Sequence, residues 1–228
     1  MAELVVALDL PDAAAALQVV DRLRGDVRWF KVGAQLYAAE GPAVVRAIVG
    51  RGARVFLDLK WHDIPAQVGG AVAAAAELGA SLATVHLAGG RAMLESAARA
   101  AAGRLRLVGV GVLTSLDAAG YAEVVGRPVA DLGAEVARLA RMGMAAGLDG
   151  AVASPQEVRR LRAELGPGAL LVVPGIRRAA DEAGDQQRTA TPAEAVDAGA
   201  DLLVVGRPIT AAPDARAAAR ALLGELRG

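Results

Sequence analysis

The feature of this sequence that most constrains its fold is an eightfold repetition of a short apolar run followed by a segment with helical periodicity. Each run has four to eight residues, the usual length of a buried strand. Continuous apolar runs are typical of parallel strands that are covered on both faces. The predicted strands are Leu4–Leu8, Trp29–Val32, Val55–Leu59, Leu82–His86, Leu105–Val112, Gly150–Ala153, Leu170–Val173 and Leu202–Val205.

Helices are predicted between the strands, and several have clear start signals. Ser154–Glu157 and Thr191–Glu194 each place a capping residue before Pro at the first helical position and Glu at the third. The predicted helices are Asp12–Arg24, Pro42–Gly50, Pro65–Leu78, Arg91–Ala101, Val129–Ala146, Pro155–Leu165, Pro192–Ala198 and Asp214–Leu226.

Eight alternating units in 228 residues predict an α/β fold that is a single (β/α)₈ TIM barrel. With 54% hydrophobic but only 3% aromatic residues, the core must consist mainly of aliphatic side chains and alanine. A doubly wound open sheet is the alternative, but no glycine-rich dinucleotide fingerprint follows the first strand. We expect residues 1–228 to form one domain, because no linker or break in composition divides them.

Composition also excludes several classes of function. The formal net charge is zero, which argues against nucleic-acid and membrane-surface binders. The absence of cysteine excludes disulfides, thiolate metal sites and cysteine nucleophiles. No apolar stretch is long enough to cross a membrane. We therefore expect a soluble cytoplasmic protein that binds neither nucleic acid nor membranes.

The lysine content is unusual. Of the 25 basic residues only Lys31 and Lys60 are lysines, and all the others are arginines. Arginine stays charged at any accessible pH and cannot give up a proton. The two lysines are therefore candidates for chemistry that arginine cannot perform, although the distribution could also arise by chance.

Charged residues lie at or just beyond the carboxyl ends of the first three predicted strands. Barrel enzymes carry their chemistry at the carboxyl ends of the strands, and Asp58 and Lys60 are two residues apart and share a face. Facing charges at a barrel mouth are costly unless they pair. We predict that Asp9, Lys31, Asp58, Lys60 and Asp63 form a functional charged set; a purely structural ion-pair network is the alternative.

A phosphate site is predicted at the other end of the chain. Arg177 follows the seventh strand and begins a long polar loop that also contains Gln186 and extends to Ala190. Gly206 and Arg207 follow the eighth strand. Barrels often bind phosphate between these two loops, and an arginine can donate two hydrogen bonds to phosphate oxygens.

The other polar residues near strand ends are less informative. Thr114 and Ser115 could contact the ring of a ligand or only stabilise a turn. Ser154 is expected to cap a helix. His86 could lie at the barrel mouth or be a core histidine, and the direction of the His62 side chain cannot be read from the sequence.

The segment Asp58–Pro65 (DLKWHDIP) resembles the D-x-K-x-x-D signature of orotidine 5′-phosphate decarboxylases. Related sugar-phosphate decarboxylases and synthases share that signature, but the complete ordered set of motifs is more specific. The other matching segments are Ala7–Asp9, Lys31–Gly33, Val112–Ser115, Pro174–Arg177, Gly184–Gln186 and Val205–Pro208.

The resemblance implies a role for each charged residue. Lys60 would stabilise and protonate the C6 carbanion that forms when carbon dioxide leaves, and Asp58 and Asp63 would flank it. Lys31 would hold the charged array and the ribose, and Asp9 would bind on the ribose side. No cofactor and no metal are expected.

The resemblance also implies a set of further residues that bind the substrate. Thr114 would lie near the pyrimidine, and four others would serve the phosphate and the closing loop. The family commonly has Asn-Thr after Ile-Pro, whereas Ala66-Gln67 stands here, so the contact of Gln67 with the ligand is less well supported. The implied binding residues are Asp9, Lys31, Asp58, Ile64, Gln67, Thr114, Arg177, Gln186, Gly206 and Arg207.

Family members are homodimers, so a homodimer is expected here, with Asp63 of the partner subunit completing each site. Three alternatives stay open at this point. They are a related Mg²⁺-dependent sugar-phosphate decarboxylase or synthase, a Schiff-base aldolase that uses Lys60, and an inactive barrel that only binds a nucleotide.

Overall fold

The computed structural model describes residues 2–178 and 189–226. In these residues eight parallel strands form one closed barrel, and each strand pairs with its neighbours in chain order. The predicted fold class is therefore confirmed. The strands are β1 (Glu3–Ala7), β2 (Trp29–Gly33), β3 (Arg54–Trp61), β4 (Leu82–His86), β5 (Arg106–Val110), β6 (Gly150–Val152), β7 (Leu170–Val173) and β8 (Leu202–Val205).

Helices connect the strands and pack on the outside of the barrel. A short 3₁₀ turn, Leu87–Gly89, follows β4. Among the described helices, none has both the length and the apolar character needed to span a bilayer. The α-helices are α1 (Ala13–Leu23), α2 (Ala34–Glu40), α3 (Pro42–Val49), α4 (Pro65–Glu77), α5 (Gly90–Ala101), α6 (Ala118–Val125), α7 (Leu132–Ala145), α8 (Pro155–Leu165), α9 (Pro192–Ala198), α10 (Arg207–Thr210) and α11 (Ala215–Glu225).

The alternation of side chains along the strands produces two separate cores. Leu4 and Val6 of β1 point outward into the large core between the strands and the helices. Val5 and Ala7 point inward into a smaller core that fills the barrel. Because the barrel interior is packed in this way, the space for a ligand lies above the inner core, at the ends of the strands.

Several elements differ from those predicted from sequence. Strand β5 ends at Val110 rather than Val112. Helices α2, α6 and α10 were not predicted, although Asp117 caps α6 by accepting a hydrogen bond from the Gly120 N–H. Helix α7 begins at Leu132 rather than Val129, because the Asp131 side chain caps it.

The two predicted helix starts also differ from each other. Thr191 and Glu194 form a complete capping box at the start of α9. Ser154 occupies the capping position of α8, but its side chain makes no capping bond to the helix backbone. Its hydroxyl donates instead to the Glu157 carboxylate, so the expected capping bond is absent there.

Candidate active site

A cavity of about 550 Å³ opens at the carboxyl-terminal end of the barrel strands. Its volume is in the usual range for small-molecule sites. Inward-facing residues of the barrel core form an apolar floor, and charged and polar residues form the walls. The lining residues are Ala7, Asp9, Lys31, Phe56, Asp58, Lys60, Val110, Val112, Leu113, Thr114, Ser115, Val152, Val172, Pro174, Gly175, Ile176, Arg177, Val204, Gly206, Arg207 and Thr210.

Lys31 lies between two carboxylates on the charged wall. It follows the inward-facing Trp29 by two residues on β2, just as Asp9 follows Ala7 beyond the end of β1, so alternation directs both side chains into the barrel mouth. The Lys31 Nζ is 2.9 Å from Asp9 Oδ1 and 3.6 Å from Asp58 Oδ2. The Lys31 side chain is only 12% exposed, whereas the Asp9 side chain is 55% exposed.

Asp58 also binds the second lysine. Lys60 Nζ lies 2.9 Å from Asp58 Oδ1, and the Asp58 side chain is 13% exposed. Asp9, Lys31, Asp58 and Lys60 therefore alternate in sign along the wall, and every charge has an opposite neighbour. This pairing offsets part of the cost of removing the charges from water. We call these four residues the charged array.

Thr84 is a part of this region that was not identified from the sequence. It is fully buried in β4, and its Oγ1 accepts a hydrogen bond from the Lys60 backbone N–H at 2.8 Å. The same hydroxyl donates to Asp58 Oδ1 at 3.0 Å. A signal for it was available, because Thr84 is a polar residue two positions beyond Leu82, which points into the barrel core.

Asp63 does not join the charged array within this chain. It lies on the exposed segment that follows β3, and its Oδ1 accepts a hydrogen bond from the Ile64 N–H at 2.6 Å. Over residues 2–178 and 189–226, no ion pair involves Asp63. Ile64 is 63% exposed and Gln67 is also exposed, and neither lines the cavity.

Three of the residues predicted to bind phosphate, Arg177, Gly206 and Arg207, line the same cavity as the lysines. Thr114, which was predicted to lie near a pyrimidine, is also in its wall. The lack of a side chain at Gly206 leaves space there, since a Cβ at this position would lie 3.6 Å from Ala7 Cβ.

The loop after β7 is described only at its two ends. Ile176 and Ala190 form a parallel bridge, and the Arg177 N–H donates to the Ala190 carbonyl at 3.0 Å. Gln186, which was predicted to bind phosphate, lies outside the described residues.

His62 and His86 lie beside the charged array rather than in the cavity wall. Their rings stack with centroids 5.0 Å apart and an interplanar angle of 14°. His86 Nδ1 accepts a hydrogen bond from the Ala88 N–H at 3.2 Å. Burial lowers the pKa of His86 below its ordinary value, and nearby His62 and Lys60 lower that pKa further.

Comparison with known proteins gives one consistent family. Residues 2–222 match the model of the "Orotidine 5'-phosphate decarboxylase / HUMPS family". A protein of Anaeromyxobacter sp. (strain K) with the name orotidine 5′-phosphate decarboxylase is 54% identical over 222 residues, which are 96% of each chain. A protein of the same name from Moorella thermoacetica is 50% identical over 98% of this chain and 92% of its own.

Solved structures agree with the sequence relatives. The crystal structure of orotidine 5′-phosphate decarboxylase from Lactobacillus acidophilus superposes with a TM-score of 0.89 at 33% identity, covering 100% of both chains. The Pyrococcus horikoshii OT3 structure of that name superposes with a TM-score of 0.80 at 24% identity, a likeness that bears on the fold alone.

Proposed function

This chain is an enzyme of the orotidine 5′-phosphate decarboxylase / HUMPS family, and from that membership we propose that it converts orotidine 5′-phosphate to UMP and carbon dioxide. This reaction is the last step of de novo pyrimidine synthesis. The proposal treats residues 1–228 as one barrel domain. It places the reaction in the cytoplasm, because a charged nucleotide does not cross membranes unaided.

The observation that carries the proposal is the charged array at the mouth of an apolar-floored cavity. Asp58 accepts from Lys60 at 2.9 Å and lies 3.6 Å from the Lys31 ammonium. A cavity of about 550 Å³ is large enough for a mononucleotide. Within the array the Lys60 ammonium supplies positive charge where a pyrimidine ring would enter, and the arginines supply it where a phosphate would bind.

Lys60 is assigned the chemical step. When the bond between C6 and the carboxylate carbon breaks, carbon dioxide leaves and the electron pair stays on C6. An ammonium about 4 Å from the developing carbanion contributes roughly 4 kcal/mol at an effective dielectric constant near 20. Lys60 then transfers a proton from Nζ to C6, giving UMP, and the neutral amine takes a proton from solvent.

The remaining members of the array position Lys60 and the sugar. Asp58 fixes the Lys60 ammonium through its Oδ1. Lys31 and Asp9 form the next pair along the wall, and we assign them to the ribose hydroxyls. Because the ammonium supplies both the charge and the proton, the proposed reaction needs no cofactor and no metal.

Arg177, Gly206, Arg207 and Gln186 are assigned to the phosphate. The phosphate is distant from C6, so its binding energy can be used only by holding the substrate and completing the site around it. A substrate without the phosphate is therefore expected to lose kcat/KM and not only affinity. Thr114 is assigned to the pyrimidine end of the cavity, whose wall it shares.

We also propose that the active form is a homodimer in which Asp63 of the partner subunit approaches Lys60. Within one chain the Asp63 carboxylate is exposed and accepts only from its neighbouring N–H, as far as residues 2–178 and 189–226 extend. Ile64, at 63% exposure, is a large apolar residue beside it and would be covered by the partner subunit in this arrangement. Ile64 and Gln67 would then meet the ligand of the other subunit.

The proposed function is tested by the absorbance of orotidine 5′-phosphate after addition of pure protein that has been treated with a chelator. We expect complete conversion to UMP, and a kcat/KM for bare orotidine that is lower by several orders of magnitude. Activity that disappears with the chelator would favour a metal-dependent sugar-phosphate enzyme. Tight binding of UMP without release of carbon dioxide would indicate an inactive nucleotide-binding barrel.

A further inference from the structure

Thr84 is a fully buried polar residue of β4 that lies behind the charged array. Alternation along β4 directs it to the barrel interior, like Leu82, but it is not among the residues that line the cavity. It therefore does not reach the position of a substrate. Its hydroxyl lies instead between the backbone N–H of Lys60 and the carboxylate of Asp58.

Strand β3 is irregular beside Thr84. Leu57 pairs with Ala83 and the next paired residue is Trp61, opposite Val85, so residues 58–60 of β3 face a single residue of β4. Within this bulge Lys60 has a φ of 50°, in the left-handed region that is unfavourable for residues with a side chain. Such a conformation persists only when surrounding contacts hold it.

The Thr84 hydroxyl supplies two of those contacts. It accepts the Lys60 backbone N–H at 2.8 Å, a bond that replaces the interrupted strand pairing. It donates its own proton to Asp58 Oδ1 at 3.0 Å. The Lys60 ammonium binds that same oxygen at 2.9 Å, so the backbone and the side chain of Lys60 are both tied to one hydroxyl–carboxylate unit.

We propose that Thr84 is a positioning residue, which holds the bulge of β3 so that Lys60 presents its ammonium to the reacting carbon. The catalytic part of this inference rests on the proposed function, whereas the positioning of the Lys60 ammonium by Thr84 does not. Only a hydroxyl of this size can accept from the backbone and donate to the carboxylate at once. Valine would fill the same volume and make neither bond.

Kinetics of Thr84→Val and Thr84→Ser test the catalytic part. We expect kcat on orotidine 5′-phosphate to fall roughly 10–100-fold in Thr84→Val, because charge stabilisation depends on placement. The dissociation constant of UMP should change by less than about threefold, since ground-state binding is retained. Thr84→Ser should keep kcat within about threefold of the unchanged protein. Equal losses in Val and Ser, or wild-type kcat in Val, would overturn the proposal.

Two further variants control for folding. If Thr84→Val does not fold, Thr84→Cys replaces it, because a thiol has similar volume but is a weak hydrogen-bonding group. Asp26→Ala removes a carboxylate that binds Arg216 and Arg220 and that precedes β2, at the end of the barrel opposite the array. It should lower the melting temperature without changing kcat, which separates a general loss of stability from a loss of positioning.

A spectroscopic measurement tests the geometry without any activity. Lysine occurs only at positions 31 and 60, so protein labelled with ¹³C at the lysine ε-carbon gives two signals, which Lys60→Arg assigns. We expect Thr84→Val to move the Lys60 signal more than the Lys31 signal, and Asp26→Ala to move neither. Unmoved signals in Thr84→Val would overturn the positioning role. Absence of decarboxylation by the unchanged protein would instead overturn the proposed function.

Discussion

The Lys31 ammonium lies 3.0 Å from the point at which a Cβ on Gly33 would be placed. Gly33 has a φ of −92°, which any residue can adopt, so a side chain at this position is opposed by the limited space and not by the backbone conformation. A methyl group at this position would displace the flexible end of Lys31 and with it the ion pair to Asp9.

Gly33→Ala should therefore lower kcat/KM for orotidine 5′-phosphate by about tenfold or more, with little change in melting temperature. Steady-state kinetics and thermal unfolding measure the two effects. Gly224→Ala is the matched control, because Gly224 lies in α11 with no atom within 4 Å of its would-be Cβ. That control should stabilise the protein by about 0.5–1 kcal/mol and leave kinetics unchanged. Unchanged kinetics in both variants would show that catalysis does not require the Lys31 ammonium at its observed position.

Gly150, at the start of β6, is required for the closure of the barrel. A Cβ on it would lie 1.9 Å from the Leu170 carbonyl oxygen on β7, and that backbone atom cannot move without breaking the strand pairing. Gly150→Ala should cost about 3 kcal/mol or more of unfolding free energy.

Gly168→Ala, in the turn before β7, is its control. A Cβ on Gly168 would meet nothing within 4 Å, so a change within about 0.5 kcal/mol is expected. Denaturant unfolding of the two variants measures this difference in unfolding free energy. Similar stabilities would mean that β6 and β7 can separate without loss.

The lowered pKa of His86 predicts how the free energy of unfolding depends on pH. Its pKa in the folded protein is lowered from 6.5, by burial first and then by His62 and Lys60. The unfolded chain therefore takes up the proton more readily, so stability is fully present above pH 6.5 and falls as the pH drops below that value.

Denaturant unfolding at pH 7.5, 6.5 and 5.5 should show this loss, and His86→Asn should reduce its slope, since Asn offers an acceptor for the Ala88 N–H without titrating there. His62→Asn should leave most of the slope, because burial is the leading cause of the shift. A slope unaffected by His86→Asn would assign the titration to other groups.

Mixing two inactive variants tests the proposed dimer. Asp63→Ala and Lys60→Ala should each be inactive alone. In a mixed dimer one site combines Lys60 of one chain with Asp63 of the partner subunit, so statistical mixing should restore about a quarter of the full activity. Mixtures of Lys60→Ala with Asp58→Ala, which remove residues of the same chain's array, are the control and should restore none. Failure of the first mixture to recover activity would contradict a shared site.

Much of the fold could be predicted because each strand and helix carries its own local signal. The eight strands follow from apolar runs, and their parallel closure follows from the helix between each pair. The approach of Asp9, Lys31 and Asp58 could be predicted for the same reason, because residues at strand ends in a closed barrel share one rim. Helix α6, which was not predicted, nevertheless has local signals in the sequence, with Asp117 at its start and Gly126 after its end.

Other features depend on contacts that no local pattern encodes. Alternation alone places Lys60 on the face of Asp58, but it gives no hint that β3 bulges there or that Lys60 has a positive φ. In that conformation the Lys60 N–H donates to the hydroxyl of Thr84, which is 24 residues away in the sequence. The contacts of Asp63 with Lys60 depend, in our proposal, on a second chain.

The central claim is that Lys60 both stabilises the negative charge that forms at C6 and donates the proton. The most direct test is the kcat of Lys60→Arg on orotidine 5′-phosphate, measured beside that of Lys60→Ala. Arginine keeps the positive charge but does not release a proton near neutral pH. We predict that both variants lose activity by a similar factor, at least about 10³-fold, while each still folds and binds UMP. An arginine variant that retains substantial activity would contradict proton donation by Lys60.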